Sequence, residues 1–289
     1  MQIKSFPNAP KFAALQQLAI AVQTGSRDDI NDALAALQNS PLFQTVGWRT
    51  NFEKIVHVFA TGNASYSVFA LSGNDKLGET IVAFSSLPGV TCPGAGACLN
   101  FCYSFRAWRY PEAFARMIQN AFLMRFAKHT IIESFHALPY GADFRLYVDG
   151  DFANGGDVAF WMHALTMRPD IKAYGYSKSF AALLGYDATG AQWPKNYMLN
   201  ISSGHNASPT MVEYIRALPI TRGEFIAVSI GRKVKGSDHG TIETNKAIRA
   251  AVNGTKIFPC PGACGNCTGK GHACGMPSLK NITIAIAIH

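Results

Sequence analysis

Thr80-Ile-Val-Ala-Phe-Ser85 leads, a few residues later, into Thr91-Cys92-Pro-Gly-Ala-Gly-Ala-Cys98-Leu-Asn-Phe-Cys102-Tyr103. A short β-branched and aromatic run followed by a glycine-rich loop with three thiols reads as a strand feeding a metal-binding loop. A long helical stretch then runs from Pro111 to about Leu138, with a break near His129. Beyond it, strand-like and helix-like segments alternate: strand Phe144–Val148, helix Asp157–Met167, strand Ile171–Tyr176, a short helix Phe180–Leu184, strand Tyr197–Ile201, helix Pro209–Leu218, strand Phe225–Ser229, helix Ile242–Val252 and strand Thr255–Phe258. Such alternation predicts βαβ units and a parallel sheet, and six strands of this kind predict an α/β fold built as a partial (β/α) barrel.

Upstream of the first strand, Lys11–Gly25 and Arg27–Leu37 carry apolar residues at helical spacing, and Ser26-Arg-Asp-Asp29 has the form of a capping box. The expected organisation is an N-terminal helical extension over residues 1–60, the barrel over 61–259, and a C-terminal cysteine cluster with a final strand over 260–289. That last piece contains Cys260-Pro-Gly-Ala-Cys264-Gly-Asn-Cys267-Thr-Gly-Lys-Gly-His-Ala-Cys274 and the apolar run Ile282–Ile288.

The two cysteine runs hold all seven cysteines of the chain, and both begin Cys-Pro-Gly-Ala. Cysteines used as small core hydrophobes would be spread over the periodic segments instead. Disulfides fit poorly, because the count is odd and Met1–Asn8 shows no basic region leading into an apolar core; a reducing, cytoplasmic setting is expected. Thiolate ligation of a metal fits better. Cys260, Cys264, Cys267 and Cys274 suit either a closed tetrahedral zinc site or a 4Fe-4S cluster, and His272 within the run can substitute for one thiolate. Cys92, Cys98 and Cys102 leave a fourth position open, as an iron-sulfur cluster with one ligand-accepting iron requires.

In parallel α/β folds the working residues follow the C-terminal ends of strands. After the successive predicted strands come the first cysteine loop, then Asp149-Gly-Asp151-Phe-Ala-Asn154-Gly-Gly156-Asp157, Ser177-Lys178-Ser179, Ser202-Ser-Gly-His205-Asn206, Ser229 with Arg232, and finally Cys260 and its companions. Asp149 and Asp151 suit a base or a cofactor-amine acceptor, with helix capping as the plain alternative. Lys178 suits an anion, or a serine it activates, and otherwise is a solvated loop lysine. His205 suits acid–base work, or simply a turn. Tyr103, Phe105, Trp108 and Tyr110 beside Arg106 and Arg109 can stack on bases or an adenine, or pack around the loop.

Composition sets outer bounds. The 289 residues are 48% hydrophobic, 15% charged and carry a formal net charge of +8. That length supports one large core, and no apolar run reaches the ~20 residues of a membrane span, so no membrane partner is expected. The basic balance allows a nucleic-acid partner through unspecific steering, although no basic run exceeds Gly231-Arg-Lys-Val-Lys235.

The ordered set Cys92–Tyr103, Gly150-Asp-Phe152, Tyr176-Ser-Lys-Ser179 and Cys260–Cys274 resembles a family of tailed-phage proteins rich in cysteine, over about residues 80 to 289. The resemblance implies a phage or prophage origin, with the host cytoplasm as compartment. More remotely the arrangement is similar to radical S-adenosylmethionine enzymes, partial barrels whose first strand feeds a three-cysteine loop. That resemblance implies a catalytic 4Fe-4S cluster on Cys92, Cys98 and Cys102, with Phe101 as the aromatic before the last cysteine. It further implies S-adenosylmethionine as cofactor, a small-molecule substrate, and an auxiliary cluster on the C-terminal cysteines. Gly155-Gly156-Asp157, or Asp149-Gly-Asp151, stands where the methionine amino group is received; Tyr103, Ser177 and Ser202 complete the expected cofactor surroundings. The spacing here is Cys-x5-Cys-x3-Cys, where that family has Cys-x3-Cys-x2-Cys. The competing readings are a zinc- or cluster-stabilised protein that binds nucleic acid or a host protein, and a hydrolase using serine with Lys178 or His205.

Overall fold

The computed structural model describes residues 12–71, 81–232, 234–252, 256–265, 267–268 and 271–288. Lys11, Thr80 and Thr255 at the starts of predicted segments, Met1–Asn8, Lys233 of the basic run, and Asn266, Gly269 and Lys270 of the second cysteine run lie outside the described residues.

Among the described residues seven strands form one parallel sheet: β1 Ile81–Ala83, β2 Asp143–Leu146, β3 Lys172–Ser177, β4 Tyr197–Ser202, β5 Thr221–Val228, β6 Ile257–Pro259 and β7 Thr283–Ala287. Their order is β1-β2-β3-β4-β5-β7-β6, so β1 and β6 are the edges and the sheet is open, a partial rather than a closed barrel. The last strand inserts between β5 and β6, pairing Ile226 with Ala285 and Phe258 with Ile284. At the other edge a single antiparallel bridge from Ala70 to Ala83 covers part of β1.

Except for α3, the helices lie where the period-3.6 pattern predicts them. They are α1 Ala13–Thr24, α2 Arg27–Gln38, α3 Val46–Thr61, α4 Pro111–Phe126, α5 Lys128–His136, α6 Gly155–Met167, α7 Phe180–Asp187, α8 Pro209–Ala217 and α9 Ile242–Ala251. The capping box that opens α2 is present, with Ser26 and Asp29 satisfying each other's backbone N–H. Ala127, in a non-helical conformation (φ -148°, ψ 53°), separates α4 from α5 and is the expected break near His129.

Strand side chains alternate between two faces. Phe144, Leu146, Ala173, Tyr197, Leu199 and Ile201 join the helices in the main core. Trp161 of α6 sits at its centre, 4.8 Å from the ring of Phe84 and 5.7 Å from that of Phe144. α4 is buried nearly all round because the sheet and the N-terminal helices cover opposite sides of it; Phe59 stacks on Phe122 at 4.3 Å. Its buried amides stitch the entry to β1: Gln119 Oε1 accepts from Ser65 and Tyr66 N–H, and Asn120 Nδ2 donates to Val68 and Ser85 carbonyls at 3.0 and 2.9 Å. The other sheet face carries Tyr174, Tyr176, Met198 and Phe225, packed under the C-terminal cysteine segment.

Candidate metal and active site

The strand ends are locked together before any cysteine is considered. Beyond β2, Tyr147 takes a left-handed backbone (φ 56°), and pairing to the chain after β1 resumes through Val148 N–H to Phe84 O (2.8 Å) and Ser86 N–H to Asp149 O (2.9 Å). That irregularity puts Asp149 and Asp151 at the mouth of the sheet. Asp151 is buried, and its carboxylate accepts from Ser177 Oγ at 2.7 Å, Lys178 N–H at 2.7 Å and Phe152 N–H at 2.8 Å. It therefore fixes the end of β3 to the end of β2. Burial pushes its carboxyl above the usual range, and the Lys178 N–H and Ser177 hydroxyl pull it back. Lys178 Nζ donates to Ser202 Oγ at 2.7 Å. His205 Nδ1 accepts from Ala207 N–H at 3.2 Å, its ring lies 4.9 Å from Phe180, and burial together with the nearby Lys178 charge lowers its pKa.

The first cysteine loop is laid across these ends. Gly96 and Cys98 N–H both donate to Gly204 O, at 3.0 and 3.2 Å, Asn206 N–H donates to Gly94 O at 3.1 Å, and Ala95 bridges His205. Gly94 is needed because a Cβ there would lie 1.6 Å from Lys178 O. Cys92 and Cys102 lie within electrostatic reach of one another, as do Cys102 and Cys98; Asp151 and Lys178 act on Cys92, and Asp149 on Cys102. Burial pushes both the Cys92 and Cys102 thiols up. Asp149, held by Ser85 and Ser104 hydroxyls, is likewise raised by burial. Phe101 and Tyr103 are 41% and 47% exposed, whereas Phe105 and Trp108 are core residues packed toward Phe114.

The second cysteine run crosses the inner face of the sheet. Cys260 N–H continues the ladder to Ala285 O at 2.7 Å, and Asn200 Nδ2 holds Cys274 O at 3.0 Å. Cys260, Cys264, Cys267 and Cys274 are electrostatic neighbours, and burial raises the Cys260 thiol to about 11 and the Cys274 thiol to about 12. Gly262 N–H points at Cys260 Sγ (3.5 Å) and Ala273 N–H at Cys267 Sγ (3.3 Å). The Tyr176 hydroxyl reaches Cys274, and Arg145 Nη1 lies 3.9 Å from Cys264 Sγ. His272 turns its Nε2 to Asp143 Oδ1 at 3.8 Å and lays its ring 4.2 Å from Tyr174.

Of the residues picked out from sequence, the strand ends thus gather Cys92, Cys98, Cys102, Asp149, Asp151, Ser177, Lys178, Ser202 and His205. Gly155, Gly156 and Asp157 sit elsewhere, at the start of α6: Asp157 accepts from Ala153 N–H at 3.2 Å and pairs with Lys128 at 3.4 Å, and Lys128 also donates to Gly156 O. Arg145, Arg222, Asn200, Tyr174 and Tyr176 escaped the sequence reading. Their only signal is a polar or charged residue recurring inside strands that should read as continuous apolar runs.

All seven cysteines are free thiols. Among the described residues no three His, Cys, Asp or Glu side chains converge on a single point as a metal ion requires, so the sulfurs are gathered without being closed around a centre. The donor set nonetheless suits a thiolate-bound metal: soft ligands in two groups, and backbone N–H donors aimed at sulfur. Among the described residues no helix is long and apolar enough to cross a membrane. No curated protein and no solved structure matches the chain. Residues 57–275, which include both cysteine runs and six of the seven strands, match the family model described as Gene product 88. The chain belongs to the Gene product 88 family of phage-type gene products.

Proposed function

We propose that this protein is an iron-sulfur enzyme of the radical S-adenosylmethionine type, with an open cluster on Cys92, Cys98 and Cys102 and a closed one on Cys260, Cys264, Cys267 and Cys274. The observation that carries this reading is the placement of the three-cysteine loop over the ends of β3 and β4, with the Lys178–Ser202 pair and Asp151 beside it. A four-iron cluster with one open iron, when bound there, supplies one-electron reduction of a chelated sulfonium cofactor. The chain's own groups do the rest. Asp151 holds the Lys178 backbone in place, and Lys178 Nζ offers a positive charge beside Cys92 for an anionic cofactor or substrate group. The Gly204 carbonyl holds the Cys98 N–H and so fixes the loop against β4. Burial raises the Cys92, Cys102, Cys260 and Cys274 thiols, and thiolate ligation releases protons, so loading strengthens as pH rises.

One contact favours a second reading. Lys178 Nζ at 2.7 Å from Ser202 Oγ is the geometry of a serine nucleophile activated by a lysine base.

Iron, zinc and sulfide content with a visible spectrum, measured on protein purified without oxygen, tests both. About eight irons with matching sulfide, falling to about half in Cys92→Ala, supports the two-cluster reading. Zinc without sulfide sinks it and leaves a zinc-stapled protein, for which salt-dependent nucleic-acid binding becomes the assay. Ester hydrolysis that survives metal removal and is lost in Ser202→Ala establishes the hydrolase instead.

A further inference from the structure

Near the C-terminal cysteines lie two arginines, Arg222 fully buried and Arg145 half-buried with its Nε out of solvent, and neither forms an ion pair among the described residues. Arg222 spends its N–H groups on neutral oxygens: Asn200 Oδ1 at 2.5 Å, Ile282 O at 2.8 Å, and Leu279 O and Glu224 O at 3.0 Å. Arg145 lies 4.9 Å from the ring of Tyr176 and 3.9 Å from Cys264 Sγ, and its buried Nε has no partner. The Tyr103 hydroxyl and the Asp149 carboxyl lie within its electrostatic reach. Asp149 is held by the Ser85 and Ser104 hydroxyls and forms no ion pair with Arg145, and a cation withdrawn from water without a paired anion is strongly unfavourable.

We propose that Arg145 and Arg222 are the built-in countercharges of a dianionic centre on Cys260, Cys264, Cys267 and Cys274. This rests on the metal-centre reading above, but not on which metal is bound. Four thiolates around a divalent ion, or around an oxidised four-iron core, leave two negative charges. The two guanidiniums balance them.

The test is anaerobic titration of metal-free protein with Co2+, whose thiolate charge-transfer bands report the ligands, in a Cys92→Ala background that removes an upstream ligand. Arg145→Gln should keep the four-thiolate spectrum while its Kd rises about tenfold or more, and Arg145→Lys should stay within about threefold. Without metal the order of stability should reverse: Arg145→Gln protein should unfold at a higher denaturant concentration than its parent, because an unpaired buried charge has been removed. A purely structural arginine would give a loss in both states. Equal Kd values with intact thiolate bands, or an Arg145→Gln protein that cannot fold without metal, overturn the countercharge assignment alone. Absence of thiolate bands in the parent overturns the metal-centre reading as well.

Discussion

Replacing Gly94 with alanine adds one methyl group at the point where the first cysteine loop rests on β3. That Cβ would sit 1.6 Å from Lys178 O and 2.4 Å from Lys178 C, against an ordinary contact of 3.4–4 Å, so about 1.8 Å of separation must be found. The carbonyl cannot supply it. Lys178 is held on one side by its N–H to Asp151 at 2.7 Å, and on the other by Phe180 N–H donating to its oxygen at 2.8 Å. The loop must lift instead, weakening Asn206 N–H to Gly94 O and the pair of bonds from Gly96 and Cys98 to Gly204 O. Overpacking costs about 1–3 kcal/mol and each weakened hydrogen bond about 1 kcal/mol. A destabilisation of about 3 kcal/mol is therefore expected from urea unfolding at unchanged m value. Thiol labelling with peptide mapping should show Cys92, Cys98 and Cys102 reacting faster, while Cys260–Cys274 keep their rates. Gly185→Ala, within α7 with nothing inside 4 Å of the new Cβ, is the control and should gain about 0.5–1 kcal/mol. A Gly94→Ala protein within about 0.5 kcal/mol of the parent, with unchanged labelling at the upstream cysteines, would refute the loop placement.

Other outcomes follow from particular contacts. Arg168 grips Asp170 with two 2.8 Å bonds and holds its carboxyl well below the usual range; this contribution is present above the ordinary aspartate pKa and is lost as pH falls through the lowered value. Asp170→Asn should therefore lower Tm at pH 7, and the gap should close in scans taken from near pH 4 downward. Ser26→Ala removes the capping-box acceptor of α2 and should cost about 1 kcal/mol in denaturant unfolding, which Ser26→Asp should largely restore. Trp161→Ala, at the centre of the aromatic core, should cost about 3–5 kcal/mol, and a smaller loss would mean that the surrounding rings collapse into the space.

The parallel architecture was legible because each βαβ unit carries its own local signal: apolar runs of strand length, helical periodicity and turn residues between them. The capping box at Ser26 and the break at Ala127 are local in the same way. Helix α3 was not predicted, since Gly47 and the Arg49–Asn51 polar run obscure its apolar stripe. The position of β7 was equally hidden, because Ile282–Ile288 reads as a strand but its neighbours are a long-range choice. Strand-end placement grouped Asp149, Lys178, Ser202 and His205 on one face, and the structure sets Lys178 Nζ against Ser202 Oγ beside the loop that rests on Gly204. Strand-end placement did not distinguish Asp151 as a lock between strands from Asp151 as a free carboxylate, because its three donors come from residues 152, 177 and 178. Gly155-Gly156-Asp157 looked like a cofactor segment, but Lys128, which faces Asp157, belongs to a different helix. Arg145 and Arg222 gain meaning only once the cysteine segment is folded across the inner face.

The insertion of β7 between β5 and β6 sets an order of events during synthesis. β1 to β5 are sequential neighbours and can pair as they leave the ribosome, whereas β6 has no partner until Thr283–Ala287 has emerged. Cys260–Cys274 lie between those two late strands, so their gathering awaits Thr283–Ala287, while the upstream loop can settle on β3 and β4 earlier. The two cysteine groups thus mature in sequence, and a chain truncated before Thr283 would carry a formed upstream loop and an unanchored downstream one.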